Sequence, residues 1–224
     1  MILLLLAALV WVGLHVGIAG TRLRGVLVAR MGDGAFRGAF SLASAVSITL
    51  LVLAWRNAET TPLWVAPPAL GWLLVLAMLL AFILFAGSVM TRNATSVGQE
   101  AALSAEPRGM LRITRHPMLL AFGLWGAVHM AGNGDSASLV FFAAFFLTAA
   151  LGIPSLDAKV AARDPAGWAA FAARTSVLPL GAVLAGRNRV AWREIAWPVL
   201  VGAVAWAAML HFHPVFFGVS PIPR

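Results

Sequence analysis

The sequence predicts an all-α, polytopic bundle of about six membrane-spanning helices, and three observations carry that prediction. Of the 224 residues, 61% are hydrophobic and 11% charged, and the mean hydropathy is +0.91, far from the balance of a soluble domain. The apolar residues gather into six uncharged runs of roughly spanning length, near the ~20 residues a bilayer requires. The basic residues between those runs fall almost wholly on one side. We read residues 1–224 as a single integral-membrane domain.

Composition also limits the chemistry. The chain has no cysteine and no tyrosine, so disulfides, iron–sulfur clusters, thiolate-ligated haem and phenolate ligation are ruled out. Five histidines and eight methionines are left as axial ligands for a transition metal or a haem iron. The net charge of +8 sits between apolar runs, where it reads as an orientation signal and argues against a nucleic-acid partner.

The first run, Met1–Thr21, lacks a basic leader and a small-residue cleavage site, so it is expected to be a retained helix rather than a signal peptide. Gly13, Gly17 and Gly20 form a small-residue seam that lets another helix or a flat ligand approach. His15 shares a face with Trp11 one turn before it and Arg22 two turns after it. A histidine to ligate, glycines for room and an arginine to meet an acid suit a haem and its propionates. A hydrogen-bonded histidine in a packed helix suits the same residues.

Runs two and three are Gly38–Trp55 and a segment within Leu63–Met90. The fourth, Pro117–Ala131, is short and closes on the turn Asn133-Gly134-Asp135. It opens on Arg115-His116-Pro117 and contains His129, and an intramembrane histidine is costly without a partner. Thirteen residues separate His116 from His129, which places them roughly 140° and about 20 Å apart on a regular helix. They cannot serve one ion. Met118, Phe122 and Trp125 lie on the His129 face. His116 is expected at the membrane boundary, within reach of water and headgroups, with a carbonyl, a lipid phosphate, Glu106 or Asp157 as partner.

Run five is Ser136–Leu156 and run six Ile195–Phe212. His213-Pro214 marks the outer end of the last. Between them, Asp157–Thr175 reads as a helix interrupted at Asp164-Pro165, either lying at the membrane face with Trp168 as anchor or serving as a solvated connecting helix. Ala101–Thr114 reads as a second interfacial segment, and Val177-Leu178-Pro179-Leu180 is too short to span. Fourteen of the sixteen basic residues fall after runs one, three and five, leaving Arg56 and Arg224 on the other side. The positive-inside rule then places both termini outside, in the periplasm of a bacterial inner membrane.

Arg115-His116-Pro117-Met118 running to His129-Met130-Ala131, the Asn133-Gly134-Asp135 turn, His15 followed by Gly17, and His213-Pro214 with Phe217-Gly218-Val219-Ser220-Pro221 together resemble the NnrU family over most of the chain. NnrU proteins are bacterial membrane proteins associated with denitrification, and are similar to the plant and cyanobacterial 15-cis-ζ-carotene isomerases, haem b proteins with histidine ligation. The resemblance implies that His15 and His129 are axial ligands. It also implies that Arg22 or Arg115 neutralises a propionate, and that Trp11, Phe122 and Trp125 wall the pocket. An apolar, lipid-soluble polyene is the implied substrate, with membrane lipids as surroundings; sensing or electron transfer would use the same haem. Depth along the helices matches His15 with His116, and His129 with His213, more closely. A second resemblance runs through Arg115-His116-Pro117, Asp157, Gly167-Trp168, Phe171 and Leu178-Pro179. It is to integral-membrane methyltransferases of the isoprenylcysteine and phospholipid type, which use S-adenosylmethionine. The chain departs from that pattern at Asp157–Val160, which lacks the paired acidic and arginine residues.

Overall fold

The computed structural model describes residues 1–93, 103 and 105–223. Part of the expected interfacial segment Ala101–Thr114 lies outside them. Nine α-helices are found among the described residues. They are α1 (Ile2–Val12), α2 (Leu23–Met31), α3 (Asp33–Arg56), α4 (Pro68–Met90), α5 (Pro117–Asn133), α6 (Ser136–Arg163), α7 (Pro165–Arg174), α8 (Gly181–Leu184) and α9 (Trp192–Phe217).

Four of these, α3, α4, α6 and α9, are long and apolar enough to cross a membrane. The N-terminal pair Ile2–Ile18 and Leu23–Met31, bent by 78°, makes a fifth if it counts as one span. At 17 residues, α5 reaches about 25 Å at 1.5 Å per residue, short of a hydrocarbon core of about 30 Å. The spans face outward with large apolar side chains: Ile2 and Leu3 are each 75% exposed. Water would penalise such a surface, and lipid does not. The chain is an integral membrane protein.

The chain divides into two compact units, Met1–Pro67 with Gly126–Ser155, and Pro68–Trp125 with Leu156–Arg224. In the first, α1 packs on α3. Its connector at 57–67 is tied to the turn between α5 and α6. Leu63 and Trp64 donate their N–H groups to the Gly134 carbonyl at 2.7 and 3.1 Å, and Ser136 N–H donates to Thr61 O at 3.0 Å. Gly134 has φ +65°, and a Cβ there would strike the Trp64 carbonyl, so only glycine closes this turn. Asp135 Oδ1 accepts from Ser138 N–H at 2.9 Å and from the Thr60 hydroxyl at 2.6 Å, capping α6.

In the second unit α4 packs on α9 so closely that a Cβ at Gly202 would lie 2.6 Å from the Ile83 Cα. The helix expected over Asp157–Thr175 is found in two pieces. The first is continuous with the span of α6, and the second, α7, starts where Asp164 Oδ1 accepts from Gly167 N–H at 2.9 Å, with Pro165 in the first turn. Phe171 and Trp168 of α7 pack with Leu103, Leu111 and Val160. Val177–Leu180 is a turn, closed by Leu180 at φ +63°.

Candidate functional site

The regular helix expected over Met1–Thr21 does not persist. After Val12 the ladder widens into a π-helical stretch at Gly13–Ile18, and Ala19 N–H bonds the Leu14 carbonyl five residues back, at 3.0 Å. Such widenings recur at functional sites. His15 stands in the middle of this one. Its Nδ1 lies 2.9 Å from the Trp11 carbonyl oxygen; a carbonyl only accepts, so Nδ1 carries the proton. The lone pair is then on Nε2, the tautomer a metal-binding imidazole needs. The imidazole lies 4.0 Å from the Trp11 ring and 5.4 Å from that of Phe40.

Two polar atoms of the same unit, Trp11 Nε1 and Ser44 Oγ, are buried without a hydrogen-bond partner. Each such orphan costs about 1–3 kcal/mol. Of the two occupants expected for the glycine seam, a helix or a flat ligand, the helix is not found at Gly13 and Gly17. A Cβ at Gly13 or Gly17 would meet nothing within 4 Å, so no helix among the described residues fills that face. Gly20 instead marks the bend, where a Cβ would run into the Val16 carbonyl, and Ser155 Oγ donates to its carbonyl at 2.7 Å.

His129 belongs to the same unit as His15. Its ring stacks on Phe142, with centroids 4.6 Å apart and planes at 24°. Phe142 sits edge-on to Phe141 at 5.0 Å, Phe141 lies 5.3 Å from Phe145, and Phe145 lies 5.1 Å from Trp11. An unbroken series of aromatic rings thus joins the surroundings of the two histidines. Arg22 is exposed in the break before α2. Phe122, Trp125 and Arg115 belong to the second unit, where Phe122 is 41% exposed and edge-on to Phe85 at 5.8 Å.

The second unit holds a constellation that sequence reasoning caught only in part. Arg115 Nη2 and Nε lie 2.7 and 3.1 Å from Asp157 Oδ2. His116 Nε2 lies 2.6 Å from Asp157 Oδ1, and the Arg115 guanidinium sits 5.3 Å from the Trp168 ring centroid. Asp157 is one of the four partners expected for His116, but the expected access of water and headgroups to the ring is not found. His116 is 2% exposed and its Nδ1 is buried with no partner. The backbone explains this burial. Arg115 N–H donates to Ser176 O, Leu180 N–H to Ile113 O, and Asn93 Nδ2 to Arg115 O, so the segment is held between two others. Arg115 is therefore engaged by a carboxylate of its own chain.

Among the described residues no three histidine, aspartate or glutamate side chains stand close enough to hold a bare metal ion. An imidazole of the His15 tautomer suits a metal that arrives with most of its donors already supplied, as a haem iron does. The model described as "NnrU protein" matches residues 3–221. The chain belongs to the NnrU family. This NnrU protein is similar to the chloroplastic 15-cis-zeta-carotene isomerase of Zea mays, with 24% identity over 194 residues, 84% of the chain and 52% of the maize protein. It spans about half the length of that relative. No solved structure matches it.

Proposed function

We propose that this NnrU protein binds haem b within a bacterial inner membrane, with both termini periplasmic, and isomerises an apolar, lipid-soluble polyene. The observation that carries the reading is His15. Its Nδ1 proton is given to the Trp11 carbonyl, which leaves Nε2 as a ligand in a π-helical stretch beside an open glycine face. His129 is the second ligand in this reading, its ring orientation held by Phe142. Arg22 is the cation for a propionate. When bound, haem supplies the redox-active iron that residues of this chain lack. The chain itself supplies orientation, through Trp11 and the phenylalanine rings, and keeps water from the reacting double bonds. The likeness to a carotene isomerase supports the substrate class.

The test is the absorption spectrum of protein purified from haem-replete cells. A Soret band is expected, and His15→Ala and His129→Ala should each remove or shift it while the protein still inserts. Colourless wild-type protein would overturn haem binding. A band retained in His129→Ala and lost in His15→Ala would keep the haem and move its second ligand.

A further inference from the structure

The second unit carries a cleft of about 370 Å³ whose lining includes Glu106, Arg112, Arg174, Arg187, Asn188 and Arg189. Of its four guanidiniums one is neutralised: Arg112 pairs with Glu194 at 3.0 Å and Glu106 at 3.1 Å. Among the described residues no carboxylate pairs with the other three, Arg174, Arg187 and Arg189. The walls are tied in place by uncharged acceptors. Arg187 Nη1 donates to the carbonyls of Ala172, Ala173 and Thr175 at the end of α7. Arg174 Nε donates to Ala170 O at 3.2 Å. Asn188 joins two walls, donating to Arg174 O at 2.8 Å and accepting from Arg112 at 2.9 Å. Arg189 adds a side chain that bonds nothing else among the described residues.

Four guanidiniums against the two carboxylates on Arg112 leave an excess of two positive charges among the described residues around one cavity, which attracts an anion with several oxygens, and the fork geometry of arginine suits phosphate. The depth of the cleft decides which phosphate. Leu178, Leu184 and Trp192, before and after the lining segment, are 74%, 84% and 73% exposed. Trp192 opens the span of α9 only three residues after Arg189, at most about 11 Å along the chain. Exposed leucines and a tryptophan at the mouth of a span belong at the interface, where headgroups lie. We propose that this cleft seats the phosphate of an anionic phospholipid, whose acyl chains lie along α8 and the start of α9. The proposal is independent of haem binding.

The probe is phosphatidylglycerol, added to the full-length protein in a neutral detergent and followed by native mass spectrometry and by the unfolding midpoint. Saturable binding is expected, with phosphatidylcholine binding weakly at most. With about 1 kcal/mol per arginine near a charged headgroup, Arg174→Gln combined with Arg189→Gln should weaken phosphatidylglycerol binding by tenfold or more. Arg189→Lys should retain most of it, and Arg56→Gln, on the sparsely charged side, should change nothing. If the double variant does not fold, Arg189→Gln alone carries the test, since that side chain supports nothing else. Equal binding of the two lipids, or an Arg56→Gln effect as large as that of the double variant, would overturn the proposal. Inorganic phosphate that saturates the cleft and blocks phosphatidylglycerol would overturn the lipid in favour of a soluble anion.

Discussion

His116 shows how much a single residue type reveals and where it stops. A histidine beside arginine and proline at a helix mouth signals a polar need inside an apolar chain, and Asp157 was among the partners its chemistry allowed. The depth of burial was not legible, because it depends on backbone bonds from Ser176 and Leu180, some sixty residues away. Asp157 is shared between a guanidinium and an imidazole, so removing it leaves Arg115 and His116 without their acceptor. Asp157→Ala is expected to destabilise the protein by about 3–5 kcal/mol, read as a lower unfolding midpoint in detergent. His116→Ala should cost stability while leaving the haem-to-protein ratio largely intact, because His116 Nε2 is given to Asp157; equal haem loss in His116→Ala and His129→Ala would contradict this. The same contacts bear on the methyltransferase resemblance. Both oxygens of Asp157 are engaged within the chain, so no saturable S-adenosylmethionine binding is expected by calorimetry, and binding weakened by Arg115→Ala would favour group transfer.

At the scale of elements, the spans of α3, α4, α6 and α9 and the turn before α6 were readable from uncharged runs and from Asn133-Gly134-Asp135. The π-helical stretch was not. Widening from four to five residues per hydrogen bond leaves no mark in an apolar run, and of the glycines expected to admit a helix or a flat ligand, Gly13 and Gly17 face open space. The start of α6 offers a pH prediction at this scale. Burial raises the Asp135 pKa, but hydrogen bonds from the Ser138 and Thr60 groups outweigh it and hold the carboxyl below its ordinary value. A carboxyl depressed in the folded state contributes stability that is present above its unfolded value and lost on acidification. The loss should begin near pH 4 and grow downwards. Asp135→Ala is expected to lower stability at pH 7 by about 1 kcal/mol, the usual worth of such a cap, and to flatten the acid limb. Unfolding midpoints at pH 7 and pH 3.5 check both, and an unchanged acid limb in Asp135→Ala would show that other groups control it.

For the molecule as a whole, we propose from parity that α5 crosses the membrane despite its 17 residues. The connector at 57–67 and the turn at 133–136 are bonded to each other, so they lie at one face. Between them α4 crosses once. A chain that returns to the same face crosses an even number of times, and among the described residues α5 is the helix left to supply the return. Local thinning of the bilayer accommodates a span about 5 Å short, at fractions of a kcal/mol per ångström. On this proposal, with the bent N-terminal pair counted as the first crossing, the crossings would number six, one more than the five that qualify by length and apolarity, and both termini would share a face. The sequence supports that count, since fourteen of the sixteen basic residues follow its first, third and fifth apolar runs. Because the chain has no cysteine, single-cysteine variants report sidedness without background. Glu59→Cys, Asn133→Cys and Ser220→Cys in intact cells should all be labelled by a membrane-impermeant maleimide, and Ala173→Cys only after the inner membrane is opened. Labelling of Glu59→Cys without Asn133→Cys would mean that α5 does not cross, and would take the six-span topology with it.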